Sequence, residues 1–139
     1  MKNLVHNPPR WAQELSDKVL AYWNASPELR ARVLPSNDYF NIHYPMDEPI
    51  ISWKKAPHNA SGVAYARRGV IIRVHPSASP VRVKLVLLHE LAHFLLPVGE
   101  HHSDRFWVLA WNLYRKFGLP IGPQGSGEQA GTQPIEVHP

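Results

Sequence analysis

The chain has no cysteine among its 139 residues. Disulfides and cysteine-based zinc modules are thereby excluded, and the absence fits a reducing compartment. Acidic residues are missing over a long stretch as well. None occurs between Glu48 and Glu90, where Lys54, Lys55, Arg67, Arg68, Arg73, Arg82 and Lys84 all fall. The N-terminal MKNLVHNPP has no apolar h-region, and the most apolar segment is interrupted by His89, Glu90 and His93. The expectation is therefore neither signal peptide nor membrane span, and a cytoplasmic protein. From Leu119 to Pro139 there is no Lys or Arg and no hydrophobic periodicity, only sequence rich in Pro, Gly, Ser, Gln and Thr. Residues 119–139 are expected to form a flexible tail unless a protein partner holds it, because they bury too little apolar surface to order themselves.

What is present is an apolar fraction of 44%, ordinary for one globular domain, here placed at 1–118. Within it the run VRVKLVLLHELAHFLLPV, Val81 to Val98, spells H-E-x-x-H at His89, Glu90 and His93. On a helix the two histidines stand one turn apart on one face and reach a single metal ion. Glu90, about 100° round, reaches a water at that ion and is the candidate general base. Ser79-Pro80 supplies a cap followed by proline at the first helical position, and Pro97 with Gly99 closes the far end, giving a metal helix over 80–97. A helix apolar nearly all round is covered on most sides, so two imidazoles and a carboxylate within it call for compensation, which a metal provides.

A zinc site needs a third protein ligand, and Glu100, His101, His102 and Asp104 follow the helix. The metzincin spacing falls on Gly99 and is excluded. A distant glutamate, as in thermolysin-like enzymes, could come only from Glu128 or Glu136 in the tail. His102 lies four residues before Phe106, whose face continues through Ala110 and Leu113, so on a helix over 102–117 it points inward and is preferred as ligand. His101, which would lie with Arg105, stays open as the alternative. If Ser103 caps that helix, His102 sits just outside it and this facing no longer applies.

HELAH, a short loop, then H-S-x-x-F-W at His102, Ser103, Phe106 and Trp107 resembles the minimal zincins of the SprT-like and YgjP-like group. The resemblance covers roughly residues 50 to 117, including Gly62 to His75 as that group's strand pair. It implies an α+β, minimal zincin-like fold and a zinc metallopeptidase with one Zn²⁺ per chain. Its ligands would be His89, His93 and His102, its general base Glu90, and its substrate a polypeptide. Members often add a cysteine zinc ribbon; this chain has no cysteine, so functions of that ribbon are not implied.

In chain order, Pro8-Pro9 opens a helix to about Ala25 with Trp11, Leu15, Val19 and Tyr22 at helical spacing, and Ser26-Pro27 starts a second, so cover helices span 9–34. Asn37 to Pro49 reads as irregular, with an extended piece around Tyr39 to Tyr44. Ile50 to Lys54 reads as a strand, and Gly62 to Ala66 with Val70 to Val74 as a hairpin turning at Arg67-Arg68-Gly69. The sheet over 50–75 is expected to be small, three-stranded and mostly antiparallel, packed on the metal helix through Val70, Ile72 and Val74. Lys54, Lys55, Arg67, Arg68 and Arg73 then form a basic face that would attract nucleic acid or another acidic partner. Equally, such a face keeps a sheet edge soluble. Tyr65, Tyr114 and Arg105 are candidates to stabilise a tetrahedral intermediate, and His58 and His75 to orient substrate. Two readings compete with the peptidase. One is a catalytically silent zincin fold serving an assembly; the other is a nucleic-acid-associated protease using the basic face.

Overall fold

The structure, a computed structural model, describes residues 7–117. Its elements in order are α1 (Arg10–Asn24), α2 (Pro27–Val33), α3 (Tyr39–His43), β1 (Ile50–Lys55), β2 (Ala60–Tyr65), β3 (Gly69–Val74), α4 (Pro80–Leu95) and α5 (Asp104–Lys116). The class is α+β, with five helices and one three-stranded sheet. The tail expected at 119–139, with His6 and His138, lies outside the described residues.

Helix α4 begins as its sequence requires, with Pro80 at the first position and the Ser79 hydroxyl accepting from the Arg82 amide at 3.1 Å. It ends at Leu95, two residues before the expected boundary, because Pro97 forces Leu96 into extended backbone (ψ 157°). Val83, Leu85, Val86, Leu87, Leu88, Leu91, Ala92, Phe94 and Leu95 are all buried. The helix packs against β2 and β3 and also against α5 and α1, which is where an element with so little polar surface must sit.

The stripe α1 buries is Ala12, Leu15, Val19 and Trp23, one residue round from the stripe the spacing suggested. Trp11 is instead 42% exposed and meets Trp53 edge-on at 6.0 Å, and the Tyr22 hydroxyl donates to Asn112 Oδ1 at 2.6 Å. Arg30 of α2 is buried, and its guanidinium donates to the carbonyls of Trp23 (2.6 Å), Asn24 (2.8 Å) and Ile42 (3.2 Å). It thereby satisfies the open carbonyl end of α1 and ties α3 to it.

Two expectations are corrected. Tyr39 to Tyr44 is not extended; Tyr39–His43 forms a short helix with ring pairs four residues apart, Tyr39 on His43 (4.0 Å) and Phe40 on Tyr44 (5.0 Å). The sheet is mixed rather than mostly antiparallel. Its order is β1-β3-β2, with β3 antiparallel to β2 and parallel to β1. β3, GVIIRV, takes the central place, burying Val70 and Ile72. The chain passes from β1 to β2 across the end of β3, where the Ala56 amide donates to the Val74 carbonyl and the His75 amide to the Asn59 carbonyl. At the other end of β3, Gly69 lets β1 come alongside, since a Cβ there would clash with the Ile50 carbonyl oxygen. β2 is left as an edge strand beside α4.

Candidate metal centre

His89 and His93 lie one turn apart on α4, and His102 comes to them from the loop before α5. Their ligand atoms all lie within 4.8 Å of one another. His89 Nε2 and His102 Nε2 are 3.2 Å apart. Two nitrogens bound tetrahedrally to zinc at its usual length would stand about 3.4 Å apart, so the pair is already at ligating separation. The Ser103 hydroxyl accepts from the Phe106 amide and caps α5, which puts His102 outside the helix. The inward facing inferred from Phe106 is therefore not what brings His102 in. A braced loop does so: Ser103 Oγ donates to Glu100 Oε1 at 2.8 Å, and Glu100 pairs with Arg105 at 3.6 Å. His101 is exposed, with left-handed backbone (φ 50°), and its ring is outside the cluster.

Aromatic side chains hold the imidazoles. His93 stacks on Phe106 at 4.1 Å, and Trp107 lies 5.4 Å from His102. Burial, and after it the neighbouring His89, His102 and His101, pushes the His93 imidazole down from 6.5 to about 3. His93 is therefore neutral at neutral pH, the form that binds metal. Behind His89 stands Tyr114, 1% exposed, its hydroxyl 3.5 Å from Nδ1. The hydroxyl thus stands on the far side of the ring from Nε2, the nitrogen that faces His102.

Glu90 is buried at 8% exposure and faces β2. A Cβ on Gly62 would lie 2.7 Å from Glu90 Cγ, so only glycine lets the strand backbone pass over the carboxylate's stem in this conformation. The sequence signal for this was a glycine inside a strand, which marks close approach. A cleft of about 520 Å³ opens between β2 and the loop 96–102, lined by Gly62 to Ala66 and by His89, Glu90, His93, His101 and His102.

Of the candidates for stabilising an intermediate, Tyr65 lines the cleft, Tyr114 stands behind His89, and Arg105 is engaged by Glu100. His58 is exposed, and His75 bonds Ser77 Oγ at 2.7 Å; neither lines the cleft. The basic residues part company. Arg67 turns away from the others to pair with Asp38, and the Asn41 amide, with its oxygen toward the guanidinium, accepts from it at 2.8 Å. Lys54 and Arg73 are cross-strand partners, and Arg68 and Lys55 are exposed.

No protein-family model, no curated protein and no solved structure matches this chain. The chemistry of the donor set is thus what characterises the site. Three imidazoles converge with their ligand atoms within 4.8 Å of one another, the His89–His102 pair at 3.2 Å and His93 held neutral by burial, and they fit a divalent ion that prefers nitrogen ligands.

Proposed function

We propose that this chain is a zinc-dependent endopeptidase of minimal zincin type. One observation carries the reading: Glu90 and the His89, His93 and His102 cluster share an open cleft alongside β2, an edge strand among the described residues. His89, His93 and His102 would hold the zinc, which would supply Lewis acidity toward a peptide carbonyl and a lowered pKa for water. The chain's own groups do the rest. The outer edge of β2, which no strand among the described residues covers, receives an extended polypeptide by strand addition, which brings its backbone past Gly62. Glu90 takes the proton of the attacking water and returns it to the leaving amine. Tyr114, through His89, keeps the ligand ring in one tautomer. The test is removal and return of metal. The purified protein should carry about one zinc per chain, lose cleavage of an unstructured protein such as casein when the zinc is chelated, and regain it with one equivalent. Cleavage unaffected by complete zinc removal would refute the reading.

A second reading rests on Lys54 and Arg73, cross-strand neighbours on one face of the sheet, and on exposed Arg68 in the adjoining turn, none with an acidic partner among the described residues. On this reading they bind nucleic acid and the hydrolytic site is secondary. Affinity that falls steeply with salt would support it, and no binding at low salt would leave the face as a solubility device.

A further inference from the structure

A smaller cavity, of about 240 Å³, adjoins the main cleft. The two share Gly62, His89 and Glu90, so they meet over the proposed base. From that meeting point the main cleft runs toward Tyr65 and the loop carrying His102. The smaller one runs the opposite way along both elements, toward Ser61 on β2 and toward Arg82 on α4. An extended polypeptide lying along the edge of β2 therefore passes from one cavity into the other, with its cleaved bond over Glu90.

The chemistry of the smaller cavity differs from that of the main cleft. Arg82 shares a helix face with Val86 and His89, four and seven residues on. Leu85 and Val86 are buried and give the cavity an apolar floor. Among the described residues the Arg82 guanidinium has no ion pair and no hydrogen bond; only its backbone amide is engaged, by Ser79. This differs from Arg30, Arg67 and Arg105, whose guanidinium groups are all committed to partners within the fold. The one carboxylate in the lining, Glu90, stands at the end the two cavities share, and no other acidic residue falls between Glu48 and Glu90.

We infer that the smaller cavity is a side-chain subsite selecting an acidic residue of the polypeptide substrate, with Arg82 as the specificity-determining cation. The inference rests on the peptidase reading above and names the substrate class for the same site. A glutamate fits it best, its methylene groups on Leu85 and Val86 and its carboxylate on the guanidinium fork. Since Arg82 is exposed, the discrimination of Glu over Gln should be modest, up to about fivefold in kcat/KM, the range of an exposed ion pair.

The experiment maps cleavage sites in casein by mass spectrometry for the zinc-loaded wild type, Arg82→Gln and Arg82→Glu. The wild type should show Asp and Glu enriched at one position on one side of the cleaved bond. Arg82→Gln should lose that enrichment, and Arg82→Glu should replace it with Lys and Arg, at unchanged zinc content. A second readout needs no turnover: a labelled peptide from the strongest site should bind zinc-loaded Glu90→Gln more tightly than its Glu-to-Gln counterpart does. Cleavage without acidic enrichment, or the same profile in all three proteins, would overturn the subsite alone. No cleavage by the zinc-loaded wild type would overturn the peptidase reading and the subsite with it.

Discussion

His89 has neighbours on two sides, the Tyr114 hydroxyl 3.5 Å from Nδ1 and His102 3.2 Å from Nε2. A ligand ring fixed in this way loses less freedom on binding metal, and partners of this kind are worth about 10- to 100-fold in metal affinity. Tyr114→Phe removes one oxygen from a buried position and should weaken zinc binding by about that factor without unfolding the domain. His102→Ala, which removes a ligand, should weaken it more, and His101→Ala should leave it unchanged. Competition with a chromophoric chelator measures all three. A Tyr114→Phe protein that binds zinc like the wild type would reduce Tyr114 to packing, and an effect of His101→Ala as large as that of His102→Ala would contradict the cluster. Gly62 acts at the same scale through what it lacks, since the space of its missing side chain is where the Glu90 stem sits.

The turn between β2 and β3 matters more than its length suggests. Arg67 sits there in left-handed backbone (φ 64°), its amide donates to the Phe94 carbonyl near the end of α4 at 2.8 Å, and its guanidinium grips Asp38 and Asn41 beside α3. One residue thus joins the hairpin, the metal helix and α3. Arg67→Ala leaves a partly buried carboxylate and amide without their donor, and should lower stability by about 1–3 kcal/mol. The measure is a fall in urea midpoint at unchanged m-value. Arg68→Glu, on the exposed neighbour, should leave the midpoint in place while weakening whatever acidic partner the face attracts. Equal destabilisation by both would contradict the division of the basic residues into one committed and several open. Sequence alone could not separate Arg67 from Arg68, because the partner of Arg67 lies 29 residues away. Helix starts were legible where chemistry is local, with cap and proline both as read at Ser79-Pro80 and the proline alone at Pro27, since the Ser26 hydroxyl donates back to the Tyr22 carbonyl instead of capping α2. The parallel pairing of β1 with β3 was not, since strand order is decided by which strand is most apolar once all three compete for the centre. The short helix α3 was missed because Asn, Asp and Pro around it mimic irregular chain.

At the scale of the whole molecule, the fold covers most of α4 with apolar contacts and leaves adjoining openings beside β2, where His89 and Glu90 emerge. The core residues Leu87, Leu88, Leu91 and Phe94 are at most 1% exposed, so α4 is fixed in rotation as well as position. His89 and His93 inherit that rigidity, and His102 is brought in by the braced loop. The pair on α4 was legible because its four-residue spacing is a property of the helix itself. That His102, and not His101, joins the pair depends on the Ser103 cap and the left-handed turn at His101, which the sequence hints at but does not rank. Among the described residues no helix is long and apolar enough to cross a membrane.

The most direct test of the account is the Glu90→Gln protein. Glutamine keeps the size and hydrogen-bonding reach of glutamate but cannot accept and return a proton at neutral pH. Fold and zinc content should therefore be retained while cleavage falls by about two to four orders of magnitude, the range of positioned acid-base catalysis. The measurement is the rate of casein cleavage by wild type and Glu90→Gln at matched zinc loading. Loss of turnover at equal zinc and equal thermal stability is the predicted result; equal cleavage by the two proteins would contradict it.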